Sequence, residues 1–292
     1  MAIYYLMIVI AAVGTAGNFA LTKVYQKTMG NGVRESIIFN MFVGLFGSVF
    51  FWITSGFHIE FTIYSAVMAL LMSLLVGVYT MIGFKLMSMG SMTVYTIFLM
   101  LGGAVVPYIY GVLFLNETVN FTKLLALLMI VAAVVLNSME KNAGRQSFSF
   151  ILLCFAVFFL NGAVSVVSKV HQIETVHKTV SADAFVLLKN VVRFMFFALI
   201  LPFCGKKTEA SRKLPLGMYG IMLGSAVVSS LAYMLQLIGA SNLPATVLYP
   251  IVTGGTVVGT SLFDRMCFGQ RLSRNTIISI AICVAALVLF VL

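Results

Sequence analysis

Apolar residues run along this chain in ten long blocks, at roughly 3–22, 36–54, 62–84, 92–115, 121–138, 148–168, 183–203, 215–238, 243–263 and 275–292. A membrane-crossing helix needs about 20 mostly apolar residues, so each block predicts one such helix. The blocks use nearly the whole chain, and the short connections leave no room for a soluble domain. The expected fold is an all-α integral membrane protein with ten transmembrane helices. The first block has no basic segment before it and no clear small-residue cleavage site after it, so it reads as a retained helix and not a signal peptide.

Composition excludes the soluble alternative. The chain is 61% hydrophobic and 9% charged, whereas a soluble domain carries about 25% charged residues. So few charges cannot coat an aqueous surface, and most of the exterior must face lipid. The net charge of +10 would hint at nucleic acid in a soluble protein. Here the basic residues gather in connections. Those after the first, fifth, seventh and ninth blocks hold Lys27, Arg34, Lys141, Arg145, Lys206, Lys207, Arg212, Lys213, Arg265, Arg271 and Arg274, while the opposite side holds Lys123 and Lys178. The positive-inside rule makes the first set cytoplasmic and puts both termini outside. Cys154, Cys204, Cys267 and Cys283 show no metal or redox spacing and read as small packing residues.

The blocks repeat. Shifted by 153 positions, "TVYTIFLMLGG" at 93–103 falls on "TVLYPIVTGGT" at 246–256, and "VAAVVL" at 131–136 on "VAALVL" at 284–289. Shifted by 146, "TKVYQ" at 22–26 falls on "SKVHQ" at 168–172. The matches recur at equivalent blocks and in order, which divides the chain into 1–140 and 141–292, five helices each, within one membrane domain. Five is odd, so the second half enters the membrane from the opposite side. Such inverted repeats commonly place a site near the midplane and permit alternating access.

Three passages carry a family likeness: "GTAGNFALTKVYQ", "GFKLMSMGSMTVYTIFLMLGGAVVPYIYGVLFLNE" and "LQLIGASNLPATVLYPIVTGGTVVGTSLFDRMCFGQRLS". Together they resemble EamA-type members of the drug/metabolite transporter superfamily, over essentially the whole chain. The resemblance implies transport, in the export direction, with termini inside, the reverse of what the charges imply. It departs at Gln270, where the family's second half usually has Glu, which puts a symmetric carboxylate pair in doubt.

Polar residues inside the blocks are the candidate chemistry. An ionisable group costs ~2.5–3.5 kcal/mol at the membrane centre on insertion scales, and so usually faces a cavity or a partner. Arg193 lies about midway along the seventh block, with Lys189 four residues earlier on the same face and Asn190 about 100° away. This face could be a positive wall holding a carboxylate. Equally, Arg193 could bond backbone carbonyls while Lys189 snorkels. Asn18, Asn40, Asn161 and Gln236 either line a pocket or join helices. Tyr95 and Tyr249 line a cavity or pack. Gly102, Gly103, Gly254 and Gly255 allow close helix approach, and Pro250 can kink its helix. Lys23 and Lys169 are expected to snorkel near the interfaces, and Glu117 to cap or brace a helix end. "HQIETVHK" at 171–178 reads as a hydrophilic loop, since His171 and His177 are six apart and off the spacing of a helical metal site.

The expectation is a secondary active transporter of small organic solutes such as amino acids or related metabolites, in the cell membrane, monomeric or homodimeric. The cations favour an anionic or zwitterionic solute. Substrate-binding candidates are Arg193, Lys189, Asn190, Asn18, Asn161, Tyr95, Tyr249 and Gln236, and structural or hinge candidates are Gly102, Gly103, Pro250, Gly254, Gly255 and Glu117. No nucleotide-binding module is read, so energy would come from a proton or sodium gradient. No cofactor, metal, nucleic acid or catalytic residue is expected. The alternatives are a membrane enzyme acting on lipid-linked substrates, which would need clustered acids or histidines, and a channel.

Overall fold

In hydrocarbon, backbone N–H and C=O groups must bond within their own segment, and each apolar block does so as a helix. The computed structural model describes residues 2–30, 32–89, 92–138, 147–204, 214–269 and 272–291, with the backbone alone at 84, 87–89, 92–96, 137–138 and 291. Its α-helices are α1 (Ala2–Met29), α2 (Val33–Thr54), α3 (Ile63–Met89), α4 (Met92–Phe114), α5 (Phe121–Ser138), α6 (Phe148–Ile173), α7 (Ala182–Ile200), α8 (Leu216–Asn242), α9 (Ala245–Phe268) and α10 (Arg274–Val291). Among the described residues there is no strand. Eight helices among the described residues are long and apolar enough to cross a membrane, while the apolar parts of α5 and α10, Phe121–Leu136 and Arg274–Phe290, are shorter. The protein is an all-helical, multi-pass membrane protein.

The ends follow from local chemistry. Gly30, at φ +95°, follows α1, and Gly269, at φ +63°, closes α9 with its N–H on Arg265 and Asp264 carbonyls. The Ser147 hydroxyl accepts from Phe150 N and starts α6. Pro202 cannot donate to the helix ladder, and α7 gives way to a 3-10 turn over Leu201–Phe203.

Side-chain bonds fix the helix directions. The Lys23–Asp264 ion pair joins the C-terminal parts of α1 and α9, so these run parallel. Ser65, at the start of α3, meets His171, at the end of α6, so these run antiparallel. Glu117, just after α4, meets the start of α9. The connections 55–62, 115–120 and 174–181 therefore share one end of the bundle with the start of α1.

The main packing pairs are α1 with α8 and α9, α6 with α3 and α4, α2 with α7 and α8, α3 with α7, α4 with α9, and α5 with α10. Helices 1–5 thus pack largely against helices 6–10, and the two stretches are not separate bodies. α9 is the most enclosed: 67% of its apolar window is buried, against 22% in α1. That enclosure accounts for its Thr253, Thr256 and Ser261, which would be costly against lipid. Phe148, Ile63, Phe203 and Leu216 are among the large apolar side chains most exposed on the outside.

Two sequence expectations are corrected. Lys169 does not snorkel: it is 5% exposed, and its Nζ donates to the carbonyls of Ala240 and Leu243, each at 2.7 Å. The last turn of α8 leaves carbonyls without helical partners, and a buried ammonium satisfies them. Residues 171–173 belong to α6 and not to a loop. His171 is buried, bonded to Ser65 Oγ at 2.8 Å and stacked on Phe185. A pocket of polar and aromatic neighbours compensates its burial, and no sequence pattern announces such a pocket.

Candidate functional site

α7 presents a lipid stripe of Val191, Met195 and Leu199, which are 37%, 55% and 69% exposed. At 100° per residue, Lys189 and Arg193 fall on the far side of the helix, facing the bundle. Each lies about 10 Å along the helix from its nearer end, at 1.5 Å per residue. Depth and direction together make this the polar centre of the bundle.

Arg193 is held by α2. Its Nη2 donates to Asn40 Oδ1 at 2.5 Å. Asn40 is itself oriented by donating to Ser36 O and Ser36 Oγ. Lys189 Nζ lies 4.0 Å from the ring centroid of Tyr233 on α8, a cation–π contact. The Tyr233 hydroxyl pairs with Ser168 Oγ of α6 at 2.8 Å and reaches the Met72 sulfur of α3. Ser73 Oγ of α3 donates to the Lys189 carbonyl. Lys189, Arg193, Tyr79 and Tyr233 all keep partial exposure. Helices α2, α3, α6, α7 and α8 thus converge on one seam carrying two basic side chains, two phenols and an amide.

Asn190 lies on another face. It is fully buried, donates to Ser230 Oγ at 3.0 Å, and sits under Gly47 of α2. A β-carbon at Gly47 would be 2.6 Å from Asn190 Nδ2, and one at Gly44 2.8 Å from Phe194 N. These glycines bring α2 onto α7 closely enough for Asn40 to reach Arg193.

The remaining predicted residues fall elsewhere. Asn18 accepts from Ser225 Oγ, and Gln236 donates to Thr15 Oγ1, both in the α1–α8 interface. Asn161 donates to Leu99 O at 2.7 Å, beside Gly103, and Tyr249 donates to Ser165 O at 2.6 Å. Both donate to backbone carbonyls of neighbouring helices. Gly102 and Gly162 form the α4–α6 crossing, Gly254 meets Ile130 of α5, and Gly255 meets Ala12 of α1. Pro250 lies inside α9, as Pro107 does inside α4. Glu117 accepts from Ala245 N, Thr246 N and Thr246 Oγ1 at 2.7–2.8 Å, supplying the N-terminal cap of α9 from another helix. The side chain of Tyr95, and those of Thr93 and Val94 in the repeat match, lie outside the described residues, as do Lys141, Arg145, Lys206, Lys207, Arg212, Lys213, Gln270 and Arg271.

Sequence reasoning missed Tyr79, Tyr233 and Ser168. Each looks like packing in an apolar block, and only the meeting of α3, α6 and α8 gives it a polar role. Asn40 was legible as a buried polar residue, but its partner, 153 positions away, was not.

No family model and no curated protein matches the chain. Among solved structures 28 chains match. One, described only as a crystal structure of a protein, shares the fold with a TM-score of 0.75 over 96% of this chain and 95% of its own, at 12% identity. That likeness speaks to the fold alone.

Proposed function

We propose that the chain is a secondary active transporter of small organic solutes, working by alternating access between two inverted five-helix repeats, 1–140 and 141–292, in the cell membrane. The observation that carries the reading is the packing pattern. Exchange helices 1–5 with helices 6–10, and α1–α8 becomes α6–α3, α1–α9 becomes α6–α4, and α2–α8 becomes α7–α3; α2–α7, α4–α9 and α5–α10 return to themselves. Lys23 and Lys169, equivalent in the sequence repeat, stand at opposite ends of the bundle, as an inverted pair requires. A pseudo-twofold bundle can rock about a central site, and the seam around α7 supplies polar groups at that depth. The reading takes α5 and α10 as spans alongside the eight longer helices and includes the resemblance to EamA-type transporters, with amino acids or related metabolites as the solute class and export as the direction.

Counterflow in proteoliposomes tests it, using labelled amino acids, organic anions and organic cations beside a correctly folded Arg193→Ala variant. Saturable exchange of one solute class is the expected result. If the folded protein exchanges none of them, the transport reading fails, and assays on lipid-linked substrates take its place.

A further inference from the structure

Two cations face the centre of the bundle from α7, and among the described residues no carboxylate on the neighbouring helices pairs with them. Lys189 Nζ rests on the Tyr233 ring, and no oxygen among the described residues accepts a hydrogen bond from it. Arg193 spends Nη2 on the neutral Asn40, while its Nε is buried with no hydrogen-bond partner among the described residues. The groups facing this pair are Asn40 from α2, Tyr79 and Ser73 from α3, and Tyr233 from α8. All are neutral in their ordinary forms. Among the described residues the ion pairs are Lys23–Asp264 and Glu174–His177, both remote from this face.

An uncompensated charge in the membrane interior is costly, and two like charges one turn apart repel each other. Structural roles for these cations would call for a carboxylate or for backbone carbonyls, as Lys169 finds at the end of α8. Lys189 and Arg193 have neither among the described residues, and both are only partly buried. Unspent donors, double positive charge and a flanking aromatic ring together match one small, negatively charged group bearing several acceptor oxygens.

We infer that Lys189 and Arg193 form a binding site for a single oxyanion, a carboxylate or phosphate group, held between α7 and α8 with Tyr233 as its aromatic wall. In a transporter the oxyanion belongs to the solute, and the inference rests on that reading for its source. A lipid phosphate offers the same chemistry.

The test uses the full chain in detergent, its thermal unfolding followed at constant ionic strength. The probes are inorganic phosphate, L-glutamate and citrate, phosphatidylglycerol added to the micelles, and tetraethylammonium as the opposite charge. Ligands that bind the folded state alone raise its unfolding temperature. A saturable rise of a few degrees is expected with at least one oxyanion and none with tetraethylammonium. That rise is lost in Lys189→Met and in Arg193→Gln, and partly kept in Lys189→Arg. Without added anion, Lys189→Met is expected to unfold at or above the wild-type temperature, because it relieves repulsion; loss of a merely structural lysine would lower it. A Lys189-dependent rise with phosphatidylglycerol alone assigns the oxyanion to lipid, and it upholds the site while removing its support for transport. The inference is overturned if no oxyanion shifts the wild type, if the shift survives Lys189→Met and Arg193→Gln, or if the cation produces it. Counterflow of a cation that persists in Lys189→Met would leave the transport reading intact and remove this site.

Discussion

At Gly102 a β-carbon would lie 2.1 Å from the carbonyl oxygen of Phe158, closer than any real contact, because α4 and α6 cross there backbone to backbone. Gly102→Ala must push the helices apart, and overpacking of this kind costs about 1–3 kcal/mol. A clear drop in thermal unfolding temperature is expected. Gly217→Ala is the matched control, since nothing lies within 4 Å of that position. Glu117 acts through hydrogen bonds. Truncation by Glu117→Ala strands the N–H groups of Ala245 and Thr246 at the start of α9, at about 1–3 kcal/mol for a donor left unsatisfied. Glu117→Gln keeps an acceptor and is expected to lose less. Equal losses in the two variants would show that the charge, not the acceptor, holds the helix end.

Connections between helices carry their own devices. Glu60, before α3, accepts from Ser181 N and Ser181 Oγ at 2.8 and 2.9 Å and so closes the start of α7. In the next connection Glu174 accepts from Val176 N at 2.7 Å and His177 N at 3.1 Å. Those backbone N–H groups pull its carboxyl down to about 2 from an ordinary 4.5. The folded value is the lower one, so the contribution to stability is complete above the unfolded value and fades as pH falls from about 4.5 toward 2. Glu174→Gln is expected to flatten the dependence of the unfolding temperature on pH within that window and to leave it unchanged near neutrality. Unfolding scans across pH 2–7 on both proteins decide it.

For the whole molecule, alternation of the helices sets the sidedness. Cys267, exposed in the last turn of α9, lies at the end opposite His58 and His177. With the other cysteines removed, a membrane-impermeant maleimide is expected to label Cys267 in inside-out vesicles, where the positive-inside rule puts it. Cysteines placed at His58 or His177 are expected to label in right-side-out vesicles. Labelling of 58 and 267 from the same side would break the order of crossings on which the inverted repeat rests. The reverse labelling of both would keep the fold and turn it over, which is the orientation the EamA resemblance implies.

Hydropathy along the chain was enough to determine the class of fold, the positions of the helices to within seven residues at either end, and the presence of two cations in a block that should hold none. These follow from local physics: the length needed to cross lipid, the need to bond the backbone within a segment, and the cost of charge in hydrocarbon. The matched segments at offsets of 153 and 146 also lie in the chain itself, and the proposed repeat is read from them. Partners were beyond its reach. Nothing local tells Asn40 that it will meet Arg193, Ser65 that it will meet His171, or Lys169 that the end of α8 awaits it, since these contacts span 153, 106 and 71 positions. Apolar blocks look alike from outside, and which face of each turns inward is decided by small residues such as Gly44, Gly47 and Gly102, where two helices meet closely. The tertiary structure alone therefore separated Lys189 and Arg193, which have no carboxylate partner among the described residues, from Asn161 and Tyr249, whose Nδ2 and hydroxyl donate to backbone carbonyls.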